Sequence, residues 1–325
     1  MSLEEFKFLI PEESNGVITE NVSELRRLEG CLREVFSKHN IKETIISSFE
    51  YVELYKRVYE NFDEEKIFTY IGKDGKVIAL RLDFTIPLAR YYISQNTDKE
   101  AKYSYFGKVY RKEKKYTGKS PETYQAGIEF VNMGGIEGNI ECLTILQESL
   151  PMIGLKNLKL EFGSVKIFNR ICELVGEKEK LIEILSKKSI SEMKRFMKNK
   201  NIDERLTNFL LKMPRLCGNI DMLNDVIVSM QDEVVLKALK ELRTTYEKLK
   251  IKDNIIFDLG MYPSMEYYTC LMFKVYSQNS PEPIISGGRY DLLYRNFEKD
   301  IPAIGMGYYL NNILKVLEKE GENND

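Results

Sequence analysis

Apolar residues recur every three or four positions over residues 20–39, at Val22, Leu25, Leu28, Leu32, Val35 and Phe36. That spacing predicts a helix with one buried stripe. Residues 64–81 alternate instead: IFTYI and VIALRL predict two strands of a hairpin, joined by a turn at 73–75. A short helix is expected over 84–95. Runs rich in Tyr, Phe and Val at 101–111 and 122–133 predict two longer strands, with the loop RKEKKYTGKSP between them. A helix over 136–151 and a strand over 156–162 follow.

The pattern changes at Val165. From there to about Lys250, the pieces EKEKLIEILSKK, SEMKRFMKNK, ERLTNFLLKM and EVVLKALKELRTTYEKLK are each amphipathic at helical spacing. Strands return at 254–259, 267–276, 283–286 and 301–308, a helix is expected from about 309 to 320, and the tail GENND is expected to fray. Strands and helices without regular βαβ alternation predict an α+β protein built on an antiparallel sheet flanked by helices. Residues 1–163 and 251–325 would form one body, with 164–250 inserted as a helical region.

Composition removes several alternatives. The chain has 325 residues, 43% hydrophobic and 30% charged, with 48 Lys and Arg against 50 Asp and Glu. The balance of charge argues against a dedicated nucleic-acid binder. No apolar run reaches the ~18–20 residues that span a bilayer, and the start reads as no signal peptide, so a cytoplasmic protein is expected. His39 is the only histidine, and it falls at a helix end. A Ser-His-Asp triad or a two-histidine zinc site therefore has no material. The five cysteines stand far apart, without a CxxC, and are expected to be reduced and mostly buried. No metal and no cofactor is called for.

The candidate chemistry lies elsewhere. Asp83 and Thr85 end the hairpin where a helix begins. Gln125 and Glu129 are four apart on a predicted strand and so share a face. Glu266 precedes Tyr267 and Tyr268, which open a further strand. A carboxylate beside a hydroxyl and an amide suits an α-ammonium group, and a second carboxylate with a tyrosine suits a polar side chain that donates. Taken singly, each could be a strand-end polar residue; the coincidence of segments gives them weight. In GGRYD (287–291) the glycines permit a tight turn or a close backbone approach. The basic loop RKEKKYTGK (111–119) is either a solvated hairpin loop or a phosphate contact.

In order, these segments resemble the catalytic domain of the class II histidyl-tRNA synthetases. ALRLDFTIPLAR is similar to the family's α-amino-binding segment. YFGKVYRKEKKYTGKSPETYQAGIEF resembles its second class motif, with Arg111 and Glu113 as the Arg-x-Glu. MEYYTCLMFKVY resembles the histidine-recognition segment, and ISGGRYDLL the glycine turn after it. The resemblance covers about 15–163 and 254–318. It implies that Asp83, Thr85 and Gln125 hold an α-amino group. Glu129 and Tyr268 would face the imidazole, with Tyr267 and Tyr290 beside them, and Arg111 would grip the carboxylate.

The departures bear on activity. Pro263 stands where the family's recognition segment has a charge-stabilising arginine, and Asn311 or Asn312 where its third motif has another. Adenylate formation depends on such cations, and losing one typically costs roughly 10²–10³ in rate. Asp83 replaces a glutamate, and Ser47, in ETIISSFE, replaces a proline of the first class motif. No anticodon-binding domain is expected after the last helix. The resemblance thus narrows to the synthetase-like regulatory subunits of ATP phosphoribosyltransferase, which lack catalysis of their own. It implies a short-form catalytic subunit as partner, a homodimeric core within a hetero-oligomer, and histidine as a candidate ligand. The competing expectation is a divergent enzyme of the synthetase type that activates an amino acid.

Overall fold

A computed structural model describes residues 21–60, 62–112, 120–198, 200 and 202–322. Its main sheet has nine strands, in the order β1-β5-β6-β12-β11-β10-β7-β9-β8. These are β1 (Lys42–Glu43), β5 (Ala101–Tyr110), β6 (Glu122–Val131), β7 (Leu158–Ser164), β8 (Cys217–Gly218), β9 (Ile255–Asp258), β10 (Leu271–Ser277), β11 (Ile285–Arg289) and β12 (Ala303–Tyr309). A small second sheet joins β2 (Phe49–Tyr51), β4 (Val77–Leu80) and β3 (Thr69–Ile71). The α+β architecture follows the sequence pattern. Two pairings are parallel, β1 with β5 and β7 with β9, so the large sheet is mixed rather than antiparallel throughout.

Alternation along each strand decides what meets on each face. On β6, Ala126, Ile128 and Phe130 point into a core shared with α1 (Val22–Lys38), α4 (Gly135–Ile153) and α11 (Leu310–Glu322). Helix α1 buries Leu25, Leu28, Leu32, Val35 and Phe36, as its spacing predicts. Just past its end the chain turns at Asn40, whose φ of 55° is one that asparagine tolerates better than most residues. The opposite residues of β6, Gln125, Gly127 and Glu129, face the other way, where Glu129 meets Thr85 at the start of α3 (Thr85–Ser94) and Gly127 meets the Tyr105 ring, on the side where α2 (Val52–Val58) also packs. There a second core gathers Tyr55, Tyr92, Tyr105, Tyr290 and Tyr294.

The segment from Val165 to Lys248 forms α5 (Val165–Val175), α6 (Lys178–Ser186), α7 (Ile190–Met197), α8 (Glu204–Lys212), α9 (Ile220–Ser229) and α10 (Glu233–Lys248). Most of its buried residues, among them Phe168, Leu185, Leu210 and Leu239, belong to the same core cluster as α1 and the sheet. It also supplies β8, which extends the sheet beyond β9.

Several expectations are corrected. Tyr267 and Tyr268 do not open a strand; they lie in a turn before β10, which starts at Leu271. GGRYD makes no glycine turn, because Gly287 and Gly288 lie inside β11. The reason is close approach: a β-carbon on Gly287 would sit 2.4 Å from the Phe273 ring and 2.6 Å from the Gly305 carbonyl. Only Cys142 of the five cysteines is buried, and Cys217 is exposed. The basic loop falls largely outside the described residues, since 113–119, and Glu113 with them, are not among these. Gly321 and Glu322 complete α11, and 323–325 also lie outside.

Candidate functional site

One cleft opens on the polar face of the sheet. Its lining includes the eight residues to which the resemblance gives a place in the pocket, Asp83, Thr85, Arg111, Gln125, Glu129, Tyr267, Tyr268 and Tyr290, whereas Glu266 is not part of it. The floor is glycine. Gly127 pairs with Gly307 and Glu129 with Gly305, and Tyr105 lies opposite Gly127 on β5. A β-carbon on Gly305 would lie 1.7 Å from Glu129 Oε2, so the carboxyl occupies space that any other residue at 305 would fill.

Glu129 is the most buried charged or amide side chain lining the cleft, 1% exposed. The Thr85 hydroxyl donates to its Oε1 at 2.6 Å, and the Tyr290 hydroxyl donates to its Oε2. Burial pushes its carboxyl up to about 8, although both hydroxyls act to lower it; the nearby Asp83 raises it further. At neutral pH it therefore holds its proton. The Thr85 bond also links the two half-sites the sequence suggested, since Thr85 neighbours Asp83 in the chain.

Asp83 is buried as well, and its carboxyl is raised mainly by desolvation. Its Oδ1 accepts from the Ile86 N–H at 2.9 Å, a capping bond at the start of α3. Its Oδ2 lies 3.3 Å from the Tyr59 hydroxyl. Arg111 is the one cationic side chain among the described residues that line the cleft. Its Nε and one terminal nitrogen donate to the Leu82 carbonyl at 3.1 and 2.8 Å, which fixes the guanidinium beside Asp83. Tyr267 packs edge-on against both Tyr268 and Tyr290, at 5.4 and 5.8 Å between ring centres.

Pro263, Asn311 and Asn312 are not among the lining residues. Asn311 Oδ1 accepts from the Tyr124 N–H at 2.6 Å, and Asn312 donates to the Pro283 carbonyl at 3.0 Å. Asn311 thus ties α11 to β6, and Asn312 ties it to the segment just before β11. His39 ends α1, with Nε2 2.7 Å from Glu148 Oε2. Sequence reasoning missed Tyr59, Tyr105, Ser286, Tyr309 and the glycine floor. A signal was present for the floor: Gly305 and Gly307 alternate within a strand, which marks a face kept clear of side chains.

An antiparallel centre, helices on its apolar face and a carboxylate-and-tyrosine cleft on the other define a protein of the class II histidyl-tRNA synthetase type. The sequence profile of the histidyl-tRNA synthetase family matches residues 15–313. Among solved structures, an ATP phosphoribosyltransferase regulatory subunit/histidyl-tRNA synthetase from Bacillus halodurans superposes with a TM-score of 0.84 at 24% identity, over 95% of this chain and 83% of that one. A histidyl-tRNA synthetase from Nostoc gives 0.77 at 18% identity, over 97% and 76%. Those two likenesses concern the fold. The sequence goes further: an ATP phosphoribosyltransferase regulatory subunit of Lactococcus lactis subsp. lactis is 40% identical over 99% of this chain and all of that protein. Its counterpart in Bacillus cereus is 30% identical over 96% of this chain and 76% of its own length. This chain belongs to the family of ATP phosphoribosyltransferase regulatory subunits.

Proposed function

We propose that this chain regulates an ATP phosphoribosyltransferase, the first step of histidine biosynthesis. It pairs with a short-form catalytic subunit, is required for that subunit's activity, and confers feedback by histidine. The observation that carries this reading is the identity of 40% along the whole of a relative bearing that name. The cleft supports it. An amino acid would place its α-ammonium among Asp83, Thr85 and Gln125, its carboxylate on Arg111, and its ring against Glu129, Tyr268 and Tyr290, with Tyr267 as the wall. Pro263 offers no charge, and Asn311 and Asn312 are spent on backbone groups, so these three positions supply none of the cations that adenylate chemistry needs. The chain carries no catalysis itself.

The test is activity of the short catalytic subunit with and without this chain, and with histidine added. Activity that depends on the chain and falls with histidine is expected; equal activity without it overturns the reading. Histidine-dependent pyrophosphate exchange by this chain alone would favour the amino-acid-activating enzyme instead. A homodimeric core completes the proposal, and light scattering should give about twice the 38.0 kDa of one chain.

A further inference from the structure

Residues 258–268 run from the end of β9 to the cleft, and both ends are fastened. At the first end, Asp258 is 6% exposed. Its Oδ2 accepts from Lys188 Nζ at 3.1 Å, and its Oδ1 accepts from the Gly260 N–H at 2.9 Å. Cys217 pairs with Asp258 across β8 and β9, and the Leu259 N–H donates to the Leu216 carbonyl at 3.0 Å. Gly260 presses on the Met213 carbonyl so closely that a β-carbon there would lie 2.4 Å from it. Arg215 Nε in turn donates to the Lys188 carbonyl at 3.0 Å. Lys188, Met213, Arg215, Leu216 and Cys217 all belong to the inserted region. Leu216 also lines a groove of about 930 Å³ between α8 and α9, with Leu206, Phe209 and Met222.

At the other end, Met265, Tyr267 and Tyr268 line the cleft. The Tyr59 hydroxyl lies within reach of both Asp83 Oδ2 and the Met265 sulfur, at 3.3 and 3.6 Å. The Glu60 N–H donates to Glu266 at 2.9 Å. A ligand resting on Tyr267 and Tyr268 therefore acts on a short strap whose far end is bonded to the inserted helices.

We propose that the inserted helical region reads the occupancy of the cleft through this strap, with Asp258 and Lys188 as positioning residues for Tyr267 and Tyr268. The ligand is an amino-acid zwitterion with a polar ring, so the proposal rests on the reading of the cleft given above. Binding energy at the tyrosines favours one arrangement of the strap. Because the strap shares hydrogen bonds with Met213–Gly218, the same arrangement is favoured there, and the linkage runs both ways.

The experiment is amide hydrogen exchange on the full chain, comparing wild type with Lys188→Met and Asp258→Asn. Lys188 is half exposed at its side chain, so Lys188→Met carries the test if Asp258→Asn fails to fold. Without ligand, exchange over 259–268 should quicken by about fivefold or more in the variants, the lower end of typical coupling, with β5 and β6 unchanged. With saturating L-histidine, wild type should gain protection over 259–268 and also over 204–229, and Lys188→Met over 259–268 alone. Calorimetry should show its histidine affinity reduced by a similar factor. Ligand-free exchange over 259–268 that does not change in either variant overturns the proposal. So does histidine protection over 204–229 that survives Lys188→Met. Absence of any histidine heat in wild type would sink the reading of the cleft, and the ligand-free comparison still decides the coupling.

Discussion

Glu129 combines a pocket role with a cost to the fold. Its carboxyl is usually at 4.5 and is raised to about 8 here, so between those values the folded protein holds a proton that the unfolded chain has released. Its contribution to stability is whole below about pH 4.5 and declines as pH rises towards about 8. Glu129→Gln cannot ionise and keeps an acceptor for Thr85. Thermal melts should show the variant gaining on wild type as pH rises from 5 to 8, by up to about 1.4 kcal/mol per pH unit; a gap that stays level with pH would refute this. Gly305→Ala tests the floor from the other side. Its methyl group meets the Glu129 carboxyl, so we expect a loss of about 1–3 kcal/mol in stability by overpacking. We also expect histidine affinity to fall at least about tenfold, a change of ~1.4 kcal/mol. Unaltered calorimetric titrations would show that the floor has room to spare.

Two residues ahead of helix α3 stands a residue with two tasks. Asp83 caps the Ile86 N–H and also faces the cleft. The two tasks can be separated. Asp83→Asn keeps a capping oxygen and removes the charge, so stability should stay within about 0.5 kcal/mol while histidine affinity falls. Asp83→Ala removes both and should cost about 1–2 kcal/mol in denaturant melts. Equal stability for the two variants would mean that the cap contributes nothing. The longer elements were legible because their periodicities are long: α1 and β6 show their faces plainly. The strands of two residues, β1 and β8, carry too few positions for a period. Tyr267 and Tyr268 have strand-like side chains, yet ring packing around the cleft takes them out of the sheet. For Gly287 and Gly288 a turn and a close approach were both open on sequence, which does not reveal that Phe273 on the neighbouring strand needs the space at Gly287.

For the molecule as a whole, the eight cleft residues could be named from sequence because they fall in four segments of recognisable order. Which faces they share, and the hydrogen bond from Thr85 to Glu129, depend on strand register that only the pairing of β5, β6 and β12 supplies. The helices between Val165 and Lys248 were legible as helices, but not their place in the main core. Since that core runs unbroken from α1 to α10, unfolding should be a single cooperative transition. Far-ultraviolet circular dichroism and tyrosine fluorescence should then give coincident melting curves, and an earlier loss of helical signal would contradict this. The parallel pairing of β7 with β9 has a consequence for engineering. Neighbouring strands that run the same way cannot be joined by a hairpin: the chain must travel back alongside the sheet, which takes a dozen residues or more. The insert can therefore be exchanged or remodelled, but not trimmed to a turn, so a minimal scaffold made from this protein must retain some crossover in that place.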